Sequence, residues 1–147
     1  MRFSLLIALL CTSSALCQEA PVTRAEFAEL FSAVARGYVG ADPVLLPADF
    51  RRDGQPVTRT EVARAMLFIA IGRGKSVKID GDALVAFRGA RIIPETALFF
   101  TNPGNHFRPN DMVVALITYA EGMANRNQPR SADERLLTTP TNGRGGG

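Results

Sequence analysis

Three stretches of the chain place apolar side chains at a helical period behind a polar start. In the first, Phe27, Leu30, Phe31 and Val34 fall three and four residues apart, which sets them on one helix face. Thr23-Arg24-Ala25-Glu26 stands just ahead of them. A Thr hydroxyl accepts from the backbone N–H three residues on, and a Glu carboxylate reaches back to the cap, so this run predicts a capping box. Gly37 marks the expected end of the helix. The second stretch repeats the first: Thr58-Arg59-Thr60-Glu61 is again a capping box, Val62, Ala65, Met66 and Ile69 make the stripe, and Gly72 ends it. Because this segment is apolar on most faces, it is predicted to lie centrally. The third opens at Phe107-Arg108-Pro109-Asn110-Asp111, with Asn110 as the N-cap and Val113, Val114, Leu116, Ile117 and Ala120 as its apolar residues.

Between these stretches the chain turns. Residues 38–56 carry Gly40, Pro43, Pro47, Gly54 and Pro56, and Asp53-Gly54 is a turn dipeptide. Ser76 to Ile79 reads as a short strand or an extended loop, Asp82 to Phe87 as a short helix followed by Gly89, Leu98-Phe99-Phe100 as a brief apolar run, and Asn102-Pro103-Gly104-Asn105 as a loop. From Asn127 on the chain is polar, with Pro129, Pro140 and a triple-glycine end, and is predicted to be a disordered tail. The fold expectation is therefore mainly α: a small bundle of three main helices with short accessory helical or extended segments and long loops.

The three helices are in register with one another. Gly37 lies 14 after Thr23, Gly72 lies 14 after Thr58, and Gly122 lies 14 after Arg108. The same register sets Asp111 opposite Glu26 and Glu61. Val22-Thr23-Arg24-Ala25-Glu26-Phe27-Ala28 and Pro56-Val57-Thr58-Arg59-Thr60-Glu61-Val62-Ala63 resemble the signature segment of S-layer homology (SLH) domains, and Phe107-Arg108-Pro109-Asn110 resembles the loop that leads into it. Phe50-Arg51-Arg52-Asp53-Gly54 resembles that loop loosely. The likeness covers about residues 20–124, in patches. It departs from the family in having no Trp, a first interval of 35 residues that is shorter than the family's repeat, and no Thr-Arg-x-Glu in the third copy.

The first 17 residues change the setting. Met1-Arg2, the apolar run from Phe3 to Leu10 and the small-x-small site Ala15-Leu16-Cys17 read as a secretory signal peptide. Leu16 stands where a lipid-attachment site wants a small residue, which argues against lipidation at Cys17. Cleavage would remove both cysteines of the chain, so the remaining residues 18–147 would form no disulfide. That points to a bacterial exported protein of the periplasm, cell surface or medium, with residues 18–126 as its domain. Loss of Arg2 takes the net charge from +3 to +2, too small an excess for a dedicated nucleic-acid binder. No later segment is long and apolar enough to cross a membrane.

The candidate chemistry sits at the two capping boxes. The SLH resemblance implies grooves between repeats that bind an anionic cell-wall polysaccharide, a peptidoglycan-associated polymer. Carried onto this chain, the ligand-binding residues are Thr23, Arg24, Glu26, Thr58, Arg59 and Glu61. An Arg fork suits carboxylate groups, and a helix N-terminus favours anions. The plainer reading gives Thr and Glu a capping role alone and leaves Arg in solvent. Other signals are weak. Gly72-Arg73-Gly74-Lys75-Ser76 ends like a phosphate loop, but its first glycine position is Ile69 and it follows a helix. His106, the single histidine, has no HExxH context, and Asp80 and Asp82 lack the other ligands of a calcium loop. No metal, cofactor or catalytic residue is expected, and the protein is not expected to be an enzyme. The alternative function is an exported helical protein that docks another envelope protein and binds no glycan.

Overall fold

The computed structural model describes residues 20–39, 44–101 and 104–127. The signal-peptide reading, Gly40, Pro43, Asn102-Pro103 and the polar tail past Asn127 lie outside the described residues. The architecture is mainly α. Helices α1 (Arg24–Ala35), α2 (Arg59–Gly72), α3 (Ala83–Gly89), α4 (Leu98–Thr101) and α5 (Pro109–Asn127) follow in order, with a 3₁₀ turn at Arg36–Tyr38 after α1. The described residues hold two isolated antiparallel bridges, Thr23 with Pro56 and Thr58 with His106. The Ser76–Ile79 stretch is an extended loop, and Leu98-Phe99-Phe100 forms the single turn of α4.

Both capping boxes are formed. The Thr23 hydroxyl accepts from the Glu26 N–H while Glu26 accepts from the Thr23 N–H, and Thr58 and Glu61 do the same for α2. Asp82 caps α3, accepting from the Leu84 and Val85 N–H groups. Helix α2 is the centre of the core: Val62, Ala63, Ala65, Met66 and Ile69 are fully buried, and Leu67 and Phe68 nearly so. Phe27 and Phe31 of α1 are also fully buried and stack with ring centroids 5.2 Å apart. Each such ring contributes about 1.5–3 kcal/mol through burial. Tyr119 of α5 joins Phe31 and Phe87 in the aromatic core, and its hydroxyl donates to the Met66 carbonyl at 2.8 Å. Burial pushes the Tyr119 phenol well up from its ordinary value.

Three sequence expectations are corrected in the third copy. Helix α5 begins at Pro109, so Asn110 lies in the first turn and is not the cap. Pro suits that place, because its missing N–H would be unpaired there anyway. The buried face is Met112, Ala115, Leu116, Tyr119, Ala120 and Met123, while Val114 is exposed. A run of five apolar residues does not reveal which face turns inward; contact with Met66 and Phe31 decides it. Finally, Gly122 does not end the helix, which runs on through Asn127. Its role is close approach: a Cβ there would sit 1.9 Å from the Ile92 carbonyl oxygen. At the end of α2 the left-handed residue is Arg73, with φ of 49°, and Gly72 is the last helical residue.

Gly122→Ala should therefore destabilise the protein by about 2–3 kcal/mol in chemical denaturation, since backbone must move to admit the methyl group. No loss, or the gain of about 0.5–1 kcal/mol that Gly→Ala gives elsewhere inside a helix, would show that the Ile92 contact yields easily. Tyr119→Phe should cost about 1 kcal/mol through its lost hydrogen bond to Met66, with no change in helix content by circular dichroism.

Candidate functional site

The starts of α1, α2 and α5 meet. The Val57 N–H donates to the Val22 carbonyl at 2.9 Å, the Val22 N–H to the Phe107 carbonyl at 2.8 Å, and the Arg59 N–H to the Asn105 carbonyl at 2.9 Å. Each lead-in segment thus touches both others. Helix starts carry unpaired N–H groups that need acceptors. Here neighbouring segments provide them: the Arg24 N–H donates to Gln55 at 2.8 Å and the Ala25 N–H to Asp53 at 3.0 Å. With Glu26 capped by Thr23, the first three donors of α1 are occupied. The start of α1 is closed as an anion receptor, and the guanidinium groups remain as the cationic features of the region.

Arg24 crosses from α1 to the second copy. Its Nε donates to Glu61 Oε1 at 2.8 Å, and its Nη1 lies 3.2 Å from both Asp53 oxygens. Glu61 uses its other oxygen, Oε2, for the capping box, accepting from the Thr58 N–H and hydroxyl at 2.9 and 3.0 Å. One carboxylate therefore caps α2 and anchors Arg24. The Asp53 hydrogen bond raises the Arg24 pKa above its ordinary value against some desolvation, and Glu61 raises it further. Asp53 responds in the opposite sense: desolvation pushes it up, but the Gln55 N–H and the Arg24 charge outweigh this and leave it lowered.

Arg59 has a different fate. It is 9 % exposed, its Nη2 donates to the Gly104 carbonyl, and its guanidinium lies 5.8 Å from the Phe107 ring centroid. Desolvation lowers its pKa, with the Asp111 charge opposing. So Arg24 faces Glu61, and Arg59 feels the acid at the same place in the third copy. The series stops there, because Pro109 stands where a third Arg would be. Glu26 is exposed and engaged with Thr23.

A cleft of about 200 Å³ opens beside Arg24 and Glu61. The 47–51 loop adds Asp49, Phe50 and Arg51, and α2 adds Arg64. Arg64 pairs with Asp49 at 2.6 Å, and that pairing holds Asp49 below the usual carboxylate value. Arg51 is exposed and forms no side-chain hydrogen bond or ion pair with the described residues. Of the six residues expected from the sequence, Arg24 and Glu61 reach this cleft; Thr23, Glu26, Thr58 and Arg59 are not in its walls. Asp49, Phe50, Arg51, Asp53 and Arg64 were missed as site residues. The loose loop likeness at Phe50 to Gly54 could have flagged three of them; nothing in the sequence marks Asp49 or Arg64.

The corresponding cleft, formed by the 93–99 segment, Phe107 and α5, is largely apolar. Asp111 and Val114 stand where the first has Glu61 and Arg64, with Leu98, Phe99 and Phe107 around them. Among the described residues no cluster of His, Cys, Asp or Glu could hold a metal ion, and no helix is long and apolar enough to cross a membrane. His106 Nδ1 lies 3.3 Å from the Val57 carbonyl, a place in the junction of helix starts. No family model matches the chain, and no curated protein or solved structure matches it.

The lowered Asp53 and Asp49 predict an acid limb of stability. A carboxylate held below its unfolded value stabilises the fold fully above that value and ceases to do so as pH falls through the folded one. Wild-type stability should therefore fall below about pH 4. Asp53→Asn should be less stable at neutral pH and show a shallower acid limb, read by denaturant midpoints across pH. Parallel curves for the two proteins would show that Asp53 adds nothing.

Proposed function

We propose that the protein is an exported, non-catalytic module of the cell envelope that binds an anionic wall polysaccharide, in the manner its SLH-like signature implies. The observation that carries this reading is the convergence of Arg24, Arg51 and Arg64 on one cleft. Arg24 is offset by Glu61 and Asp53, so the groups offered to an acidic sugar are Arg51 and, once it leaves Asp49, Arg64. Arg24 is the fixed member, braced by Glu61 and Asp53. Arg51 is available to a ligand, and Arg64 can exchange its exposed Asp49 partner for one. An exposed pair of this kind is worth little, about 0–1 kcal/mol, so the exchange costs little. The half-buried Phe50 offers an apolar ring for the C–H face of a sugar. Arg59 takes a supporting role in this scheme, holding the 104–107 segment against α2.

The test is co-sedimentation of the full chain with purified peptidoglycan carrying its acidic polymers. Arg51→Ala with Arg64→Ala should weaken binding by about tenfold or more while leaving thermal unfolding nearly unchanged. Unchanged sedimentation of the double variant would refute the assignment. A second reading, docking of another envelope protein, is favoured by the apolar cleft, where Leu98 and Val114 are 56 % and 45 % exposed. Loss of envelope retention on Leu98→Ser, but not on the arginine double variant, would favour it.

A further inference from the structure

We infer that a second ligand site lies in the cleft between the 91–95 turn and the last turns of α5, and that it takes a diamino acid, free or at the end of a peptide. This cleft is away from the arginine cleft and does not depend on the glycan reading. Its volume is about 500 Å³, within the usual range of small-molecule sites.

The walls are fixed. Ile92 and Ile93 are 3 % and 2 % exposed and anchor the turn in the core. The Ile92 carbonyl lies against Gly122 so closely that no side chain fits between them. Arg91 sits at φ of 51°, in the left-handed region that costs a residue with a Cβ about 1 kcal/mol. The chain tolerates that conformation at an arginine whose side chain lines the cleft.

The polar groups come from two elements. Thr118, Glu121 and Asn125 share one face of α5, and Arg91 and Glu95 come from the turn. The side chains of Arg91, Glu95, Glu121 and Asn125 are exposed and form no hydrogen bond or ion pair with one another or with other described residues. Thr118 donates to the Val114 carbonyl at 2.8 Å, which leaves its oxygen as an acceptor. Two carboxylates and one guanidinium thus face a single cleft without neutralising each other. The complement of that set is two ammonium groups and one carboxylate joined by a short aliphatic chain, which would lie along Pro94. Arg91 would take the carboxylate with its fork, and Glu95 and Glu121 the two ammonium groups.

The probe is free lysine, titrated into the full chain and followed by backbone amide shifts of Thr118, Gly122 and Asn125. Norleucine lacks the side-chain ammonium and cadaverine lacks the carboxylate; both should bind at least about fivefold more weakly than lysine. Glu121→Gln should weaken lysine binding by about fivefold as well. Arg91→Gly should weaken it similarly while keeping or raising thermal stability, because glycine adopts the left-handed conformation without strain. No saturable shift up to about 50 mM lysine, a very weak limit, would overturn the site. So would equal binding of the three compounds, or lysine binding unaltered in both variants. The Arg51→Ala, Arg64→Ala double variant should bind lysine like wild type, which keeps this test separate from that of the polysaccharide.

Discussion

Backbone hydrogen bonds among three helix starts hold the rest of the molecule in place. An α-helix leaves its first N–H groups without internal partners, and burying them unpaired is costly. This chain answers the need across copies: Gln55 and Asp53 carbonyls serve α1, Asn105 serves α2, and Val22 bonds to both other segments. The side-chain capping boxes complete the set. Once the starts are fixed, the directions of the helices follow, and with them the aromatic core around Phe27, Phe31 and Tyr119.

The same junction sets the chemistry. Because Glu61 has two oxygens, it can cap α2 and still hold Arg24. The equivalent relation between Arg59 and the third copy is buried beneath Phe107. One cleft is therefore charged and the other largely apolar, although the two begin from nearly the same four residues. The difference lies outside those four residues: Arg64 in one helix is matched by Val114 in the other, and the 47–51 loop has no charged counterpart at Leu98 and Phe99.

That contrast explains how much was legible in the sequence. Capping boxes are local, so Thr23-x-x-Glu26 and Thr58-x-x-Glu61 could be read directly, as could the central place of α2 from its apolar faces. The register of α5 could not, because Val113, Val114, Leu116 and Ile117 cover more than one face and the choice rests on contacts with residues far away in sequence. Gly122 looked like a terminator because a helix-ending glycine and a close-approach glycine are the same residue; only the position of Ile92 separates them. Arg24 and Arg59 occupy equal places in equal motifs, yet the distant Phe107 and Gly104 enclose one, while the other stays at a cleft. Of the cleft, Arg24 and Glu61 were visible beforehand, and the residues gathered by the loop and by the middle of α2 were not.

Most repeat proteins are open stacks, in which each unit touches only its neighbours and copies can be gained or lost at an end. Here Val22 bonds to the second and third segments, and Asn105 bonds back to the second, so the three starts form a closed circuit. A circuit has no end at which to add a unit. A fourth copy could enter only by breaking one of these links, and deleting a copy would strand the carbonyls and amides of the two that remain. The three starts therefore hold one another as a set, and each helix is free to diverge in what it displays so long as its link to the other two is kept.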